Sequence, residues 1–256
     1  MCGRYASFRS DADLVSAFSV AEVVTPDRPP SWNVAPQQDV RVILDRAPRD
    51  KPAAKVRQLR TARWGLVPAW ATDPAIGNRL INARSETVLT KPAFRDSAHR
   101  HRLILPADGY FEWQPLDEAG RRKQPWYLTD PDGAPLAFAG LYAWHHNPDL
   151  PRDDPAAWLW SCTILTTRAS DALGHVHDRC PVIVPAALLD DWLDPALTGP
   201  DDVRSLLAAM PEPRLTPRPV GRAVGNVRND GPQLIEPVEV PDHRADGGEA
   251  AGPARR

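Results

Sequence analysis

Proline is the feature of this sequence that most limits what the chain can fold into. It makes up 29 of the 256 residues and is spread along the whole length of the chain. Because proline lacks a backbone N–H and its ring clashes with the preceding helical turn, it kinks or ends a helix. Long helices are therefore excluded over most of the chain, which leaves strands and short helices.

The hydrophobic pattern predicts a few short helices between the prolines. The first has Ser10 as its candidate N-cap and places Leu14, Ala17 and Phe18 on one face. The predicted helices span residues 11–20, 92–101, 185–192 and 201–210.

Short strands fill most of the remaining chain. We predict them over residues 40–44, 63–67, 102–105, 110–114, 126–128, 136–144, 158–167 and 215–220. A Pro-Ala-Asp-Gly turn joins the strands 102–105 and 110–114. Because helices and strands do not alternate in a strict βαβ order, the predicted fold class is α+β, with a mainly antiparallel, barrel-like sheet flanked by short helices.

No internal repeat or linker divides the chain, so we predict one domain over residues 2–240. Residues 46–55 are polar and contain proline, which predicts a surface loop. The last part of the sequence is small and polar, which predicts a disordered tail over residues 241–256.

The charge balance argues against one broad class of protein. The chain has 31 lysine and arginine residues against 33 aspartate and glutamate residues, a formal net charge of −2. We therefore do not expect it to bind nucleic acid by bulk positive charge, and any anion site must be a local patch. Only four of the basic residues are lysine, a skew that a GC-rich coding bias explains better than phosphate binding.

Cysteine usage favours a reducing compartment. Cys2, Cys162 and Cys180 are odd in number and lack the spacing of a disulfide framework. We see no secretory signal and no apolar run long enough to span a membrane. We therefore expect a soluble, cytoplasmic monomer, and nothing in the sequence requires a metal or an organic cofactor.

Cys2 is the first residue with distinctive chemistry. Removal of Met1 would make it an N-terminal cysteine, whose amine has a pKa of about 7.7–8.0 and is partly neutral at physiological pH. The neutral amine can form a Schiff base with an aldehyde, and the thiol can then attack the same carbon to close a thiazolidine. Position alone favours a simpler interpretation, a small residue at a frayed terminus.

Two further segments each allow a structural and a functional interpretation. In residues 81–87, Asn82 and Arg84 could hold an anionic or carbonyl-bearing ligand, or a strand could lead into a capped helix. On the strand 110–114, alternation places Glu112 on the same face as Tyr110. A carboxylate among aromatic residues is partly desolvated, which suits acid–base catalysis, although the pattern also fits a glutamate that faces water.

The segment 175–181 contains His175, His177, Arg179 and Cys180. Its spacing fits no standard zinc pattern, and no second pair of ligands exists. A catalytic histidine followed by an arginine that binds phosphate is the more economical interpretation. A structural histidine is the alternative.

Several tryptophans lie beside arginine, asparagine or proline. Exposed rings in such surroundings are expected to stack on unpaired bases while guanidinium groups hold the backbone. Most of the nine tryptophans nevertheless belong in the core. The candidates for a stacking surface are Trp32, Trp64, Trp70 and Trp113.

Together these segments resemble the SOS-response-associated peptidase (SRAP) family of abasic-site-processing proteins. No single motif is decisive, but the ordered set with cysteine at position 2 is highly specific, and it runs over roughly residues 2–240. The matching segments are residues 1–5, 32–36, 64–70, 81–87, 103–113, 137–142, 162–167, 177–184 and 229–232.

The resemblance implies that the protein binds single-stranded DNA with an abasic site and traps the ring-opened aldehyde as a thiazolidine. Carried onto this sequence, it makes Cys2 the nucleophile once Met1 is removed, a protease-like step credited to the family. Asn82 would orient the Cys2 amine or the sugar. Glu112 would move protons, and His177 would hold or protonate the sugar hydroxyl.

The resemblance also implies a DNA surface. Arg84 and Arg179 would contact phosphates that flank the lesion. Cys180 departs from the family pattern, because methionine is common at this position. The weaker candidates for the DNA surface are Arg4, Trp70 and Trp113.

Two other functions stay open from the residues alone. A cysteine hydrolase could use Cys2 as nucleophile, His177 as base and Glu112 or Asn82 as the orienting group. It would need the thiol but no free α-amine. A non-catalytic reader of modified or single-stranded DNA would bind DNA without forming a covalent adduct.

Overall fold

The computed structural model describes residues 2–25, 27–47, 54–117, 119–169 and 176–239. The strands that these residues form are β1 (Tyr5–Ser7), β2 (Glu22–Val23), β3 (Ser31–Val34), β4 (Asp39–Arg46), β5 (Val56–Trp64), β6 (Asn82–Arg84), β7 (Arg102–Ala107), β8 (Gly109–Pro115), β9 (Lys123–Thr129), β10 (Leu136–His146), β11 (Trp158–Arg168), β12 (Arg179–Pro181) and β13 (Thr216–Pro219). The α-helices are α1 (Asp11–Phe18), α2 (Arg95–Arg100), α3 (Leu189–Leu193) and α4 (Pro200–Ala209). Short 3₁₀ helices cover Pro74–Arg79, Pro155–Ala157, Ala186–Leu188, Arg222–Gly225 and Pro232–Ile235.

Five strands close into a barrel. β11, β10, β7, β4 and β5 are neighbours in that order, and each of these pairs is antiparallel. A parallel pairing of β5 with β11 places Arg63 opposite Ser161 and Trp64 opposite Cys162, which brings the sheet back to its first strand. The predicted α+β fold with a mainly antiparallel, barrel-like sheet is confirmed.

A second sheet lies beside the barrel, with the strand order β13-β9-β8-β1-β3. The predicted turn at residues 106–109 does not make a hairpin. Instead, Asp108 alone separates β7 of the barrel from β8 of the second sheet. Gly109 is required here, because a Cβ atom at this position would lie 2.5 Å from the Tyr127 ring.

Alternation along the strands separates two hydrophobic layers. Val42 and Leu44 of β4 belong to the cluster that fills the barrel, which also contains Trp64 and Phe138. Ile43 lies between them in sequence and packs on the outside with the helices. The barrel is therefore filled on the inside and covered by short helices on the outside.

The first helix forms as predicted, although it ends earlier. Ser10 caps it and shares a reciprocal capping box with Asp13. The helix stops at Phe18, because Ser19 adopts a left-handed conformation with φ of 53°.

The predicted strand over residues 63–67 was wrong in its bounds. The strand β5 ends at Trp64, and Gly65 has a φ of 133°, which breaks the extended conformation. A Cβ atom at position 65 would lie 2.6 Å from the carbonyl oxygen of Gly77. Only glycine fits this close approach.

The predicted tail over residues 241–256 lies outside the described residues, as does most of the predicted loop over residues 46–55. Within the part of the chain that the structure describes, no helix is long and apolar enough to cross a membrane.

Candidate active site

Cys2 lies at one end of the barrel, where it is fully buried. It packs in the same cluster as Tyr5, Trp64 and Tyr110, so the frayed terminus that position alone favoured is not what the structure shows. Burial raises the pKa of the Cys2 thiol well above its ordinary value, and the nearby charge of Glu112 adds to this rise. The thiol is therefore protonated near neutral pH.

Asn82 holds the backbone of Cys2. Its Nδ2 atom donates a 2.8 Å hydrogen bond to the carbonyl oxygen of Cys2. Asn82 begins the short strand β6 and lies opposite Ile164 of β11, so the barrel wall fixes its position. Its Oδ1 atom is buried and accepts no hydrogen bond from the described residues, which leaves an acceptor at the site.

Glu112 lies on the same face of β8 as Tyr110, as alternation predicted, and is only 3% exposed. Burial raises the pKa of its carboxyl group to about 7, against the opposing charge of the chain's amino terminus. The water-facing alternative for Glu112 is therefore wrong. Both protonation states are populated near pH 7, as acid–base catalysis requires.

His177 is neutral at physiological pH, because burial and the charge of the amino terminus lower the pKa of its imidazole. Its Nδ1 atom lies 3.0 Å from the backbone nitrogen of Arg179, which donates to it. The Asp178 carboxylate lies 2.8 Å from the same Nδ1 atom and would stabilise the ring once it gains a second proton.

Arg179 is largely buried and bound to the protein itself. Its two terminal nitrogens donate to the Glu86 carboxylate at 2.7 and 3.0 Å, and one also donates to the Thr166 carbonyl at 2.7 Å. Its Nε atom is buried and donates to no described residue. The guanidinium charge of Arg179 therefore faces a carboxylate of the protein in a bidentate ion pair.

An arginine-lined cavity of about 600 Å³ adjoins this ion pair, and we call it the arginine cavity. Arg84 and Arg168 are exposed there, and in the described part of the chain they form no ion pair or hydrogen bond through their side chains. Arg168 ends β11 opposite Arg179 of β12, a register that no local sequence pattern reveals. The cavity is lined by Arg84, Glu86, Thr87, Arg168, Ala169, Asp178 and Arg179.

The segment after β6 forms turns instead of the capped helix that was the alternative for residues 81–87. The backbone N–H of Thr87 bonds to the Arg84 carbonyl, and that of Thr90 bonds to the Thr87 carbonyl. This turn directs Glu86 toward Arg179.

Arg4 has a structural role. Its guanidinium donates to Asn33 Oδ1 and to the Val224 carbonyl, both at 2.8 Å. It also lies 6.0 Å from the centre of the half-buried Trp113 ring. Arg4 and Trp113 thus tie the start of the chain to the segment near residue 224.

The tryptophans that the sequence offered as a stacking surface differ in exposure. Trp70 is 57% exposed, whereas Trp64 is fully buried and donates its indole N–H to the Ile81 carbonyl at 2.8 Å. Trp32 stacks on Phe8. Local sequence does not distinguish these rings, because burial depends on distant strands.

Cys180 follows Arg179 in β12 and is buried. This burial raises the pKa of its thiol to about 11. His175 lies outside the described residues. Among the residues described, no group of three or more His, Cys, Asp or Glu side chains could hold a metal ion.

Comparison with known proteins gives consistent matches over nearly the whole chain. The model of the SOS response associated peptidase (SRAP) family matches residues 1–227. The abasic site processing protein YoqW of Bacillus subtilis (strain 168) is 35% identical over 92% of this chain and 99% of its own. YedK of Escherichia coli is 32% identical over 93% and 100%, and HMCES of Gallus gallus is 29% identical over 82% and 67%.

Solved structures share the fold. A crystal structure of a protein from Bacteroides thetaiotaomicron superposes with a TM-score of 0.73 at 20% identity, covering 93% of this chain and 100% of its own. A phage-related protein from Bordetella bronchiseptica gives a TM-score of 0.63 at 30% identity, covering 86% and 94%.

Proposed function

The chain belongs to the SOS response associated peptidase family, and we propose that it captures abasic sites in single-stranded DNA as a covalent adduct on Cys2. Curated relatives across bacteria and vertebrates are named abasic site processing proteins. The observation that carries the proposal is the 2.8 Å hydrogen bond from Asn82 to the Cys2 carbonyl, which fixes residue 2 within electrostatic reach of Glu112.

The proposed reaction begins when removal of Met1 frees the Cys2 amine. The amine nitrogen attacks the aldehyde carbon of the ring-opened sugar, and loss of one water leaves a Schiff base. The thiol sulfur then bonds to the same carbon, and the thiol proton passes to the imine nitrogen. This closes a thiazolidine ring, with one water released overall.

Glu112 is the proposed proton carrier. With a pKa of about 7, its carboxylate can accept a proton from the attacking amine and return one to the departing water. His177 is proposed to hold the sugar hydroxyl that ring opening exposes, through a hydrogen bond from its ring N–H. Asn82 Oδ1, which accepts no hydrogen bond from the described residues, is a suitable acceptor for the Cys2 amine.

The thiol pKa favours this route over a cysteine hydrolase. Cysteine hydrolases depress the pKa of their thiol, commonly beside a protonated histidine, to keep a reactive thiolate. Here the pKa of Cys2 is raised and that of His177 is lowered, so both groups are neutral near pH 7. In the proposed route the amine attacks first and the imine activates the carbon for the thiol.

Contacts with DNA are proposed to differ in strength among the candidate residues. Arg84 and Trp70 are exposed and suited to a phosphate and an unpaired base. Arg179 offers its Nε–H, which has no acceptor among the described residues. We propose smaller contributions from Arg4 and Trp113, because the protein already uses both in its own contacts.

The test is intact-mass analysis after incubation with a single-stranded oligonucleotide that carries one abasic site. We expect one covalent adduct per chain, on protein that lacks Met1. Cys2→Ala is expected to form none, while the matched variant Cys180→Ala, which removes another buried thiol, keeps the adduct. An adduct on Cys2→Ala at the normal rate would disprove the proposal.

A second arm separates capture from hydrolysis and from simple binding. Blocking the α-amine while sparing the thiol is expected to abolish the adduct, whereas a hydrolase would keep its activity. If the protein binds the oligonucleotide equally well with and without Cys2 and never forms an adduct, it is a non-catalytic reader.

A further inference from the structure

A second cavity opens beside the arginine cavity. It has a volume of about 270 Å³ and lies between the end of β11 and the C-terminal end of α4, so we call it the α4 cavity. The two cavities share Arg168 and Ala169 in their walls. A ligand that spans both would therefore pass directly over Arg168.

Apolar residues make up more of the set that lines the α4 cavity than of the set that lines the arginine cavity. Leu207 and Met210 of the α4 end and the prolines at 211 and 213 form an apolar side. Ser85, Thr167 and Arg168 contribute to the opposite, polar part of the lining. The exposed Glu212 carboxylate lies at the rim.

The arginine cavity is suited to an anion. Three guanidinium groups line it, against the carboxylates of Glu86 and Asp178. The buried Nε–H of Arg179 has no acceptor among the described residues, so a donor is available for an oxygen atom. Since Arg84 and Arg168 are exposed and bound to no described carboxylate, they can approach a phosphate directly.

We propose that the α4 cavity holds one unpaired nucleobase next to the captured sugar, with the phosphate of that nucleotide on Arg168. This inference rests on the proposed function. The junction of a cationic and an apolar cavity matches a nucleotide, whose charged phosphate adjoins an uncharged ring. The Met210 sulfur suits contact with an aromatic ring.

The position also fits a neighbouring nucleotide. Ser85 follows Asn82 by three residues, so its backbone lies within about 10 Å of the residue that holds Cys2. The hydrogen bonds between β6 and β11 continue to Ser85, because its backbone N–H donates to the Thr166 carbonyl. The wall of the α4 cavity therefore begins within about 10 Å of Asn82, a distance that one or two nucleotides can span.

The experiment measures equilibrium binding by fluorescence anisotropy, using full-length Cys2→Ala and an abasic-site analogue without an aldehyde, so that neither a thiazolidine nor a Schiff base forms. The probe is a single-stranded oligonucleotide with this analogue at its centre, compared with oligonucleotides in which the base on either side is replaced by a base-free spacer. We expect loss of the base on one side to weaken binding about tenfold. Met210→Trp, which fills the cavity, should remove that difference.

Ala208→Trp is the matched control, because Ala208 is exposed on the same helix and does not line the cavity. It should keep the full difference between the probes, and melting curves will confirm that both variants fold. Arg168→Ala should lower the slope of log affinity against log salt by about 0.7, the value for one phosphate contact on a single strand.

The inference is overturned if base-free spacers bind as well as bases on both sides, or if Met210→Trp keeps the difference. An unchanged salt slope in Arg168→Ala would overturn the assigned phosphate. Failure of the proposed function shows separately, as absence of an adduct on the wild-type protein, because the binding assay needs no covalent step.

Discussion

Two buried arginines show how differently this molecule treats charge in its scaffold and at its candidate site. Arg102 is 5% exposed, and all of its guanidinium nitrogens donate to backbone carbonyls between 2.7 and 3.2 Å. Arg179 is 9% exposed, yet its Nε atom is left without an acceptor among the described residues. The carbonyls bound by Arg102 are those of Ala98, His99, Trp192, Asp194 and Leu197.

The same contrast extends to the neighbours of each arginine. Around Arg102, the Trp192 indole N–H also donates to the Leu103 carbonyl. Around Cys2, Asn82 Oδ1 is unpartnered among the described residues and Glu112 has a raised pKa. The Arg102 guanidinium is thus fully satisfied, whereas the candidate site retains polar capacity that a ligand could use.

The largest expected effect comes from removing Arg102, the arginine whose guanidinium nitrogens all have acceptors. Arg102→Leu should lower the free energy of unfolding by about 3–5 kcal/mol, because five backbone carbonyls lose a donor and two of these hydrogen bonds are fully buried. Urea unfolding measures the change. The control Arg100→Leu removes an exposed arginine at the end of α2, two residues before Arg102, and should change stability by less than about 0.5 kcal/mol. A loss below about 1 kcal/mol in Arg102→Leu would contradict the comparison.

The second expected effect is an increase in the free energy of unfolding, when Glu112 is replaced. Glu112 has a pKa of about 7 in the folded protein against an ordinary 4.5, so between these values the folded chain holds a proton that the unfolded chain has released. Stability therefore falls as pH rises through this window. Glu112→Gln should raise the free energy of unfolding at pH 8 by up to about 3 kcal/mol, while it slows adduct formation.

Unfolding curves between pH 5 and 8 test this sign. The control Glu236→Gln removes an exposed carboxylate and should follow the wild-type pH dependence. If Glu112→Gln shows the same fall in stability with rising pH as the wild type, Glu112 does not titrate in this window.

The smallest effect concerns the ion pair of Arg179. The hydrogen bonds from Arg179 lower the pKa of Glu86, so the pair stabilises the fold above pH 4.5 and is lost as pH falls through the lowered value. Because Glu86 is 42% exposed, Glu86→Gln should cost no more than about 1 kcal/mol at pH 7. It should also tighten binding of single-stranded DNA, since a negative charge leaves the arginine cavity.

Anisotropy at two salt concentrations and unfolding at pH 3 to 7 test both effects. Asp201→Asn breaks an exposed ion pair with Arg204, far from the cavity in sequence, and should leave DNA affinity unchanged. Weaker DNA binding in Glu86→Gln would mean that Glu86 positions Arg179 for the ligand.

Local sequence patterns predicted the elements that depend on neighbouring residues. The prolines limited helix length, Ser10 capped α1, and alternation placed Tyr110 and Glu112 on one face of β8. The barrel closure between β5 and β11 was not predictable, because it pairs residues about 100 positions apart without a local signal. For the same reason, the sequence did not indicate that Arg168 lies beside Arg179, or that Arg179 pairs with Glu86.

The contacts of Arg4 have a consequence for how the protein matures. Arg4 donates to the carbonyls of Val224 and Gly225, which follow it by about 220 residues. Residue 4 therefore completes its contacts only after the chain has extended through residue 225, about 220 positions later. The setting of Cys2 thus depends on one of the longest-range contacts in the described fold, and a chain cut before residue 224 would lack it.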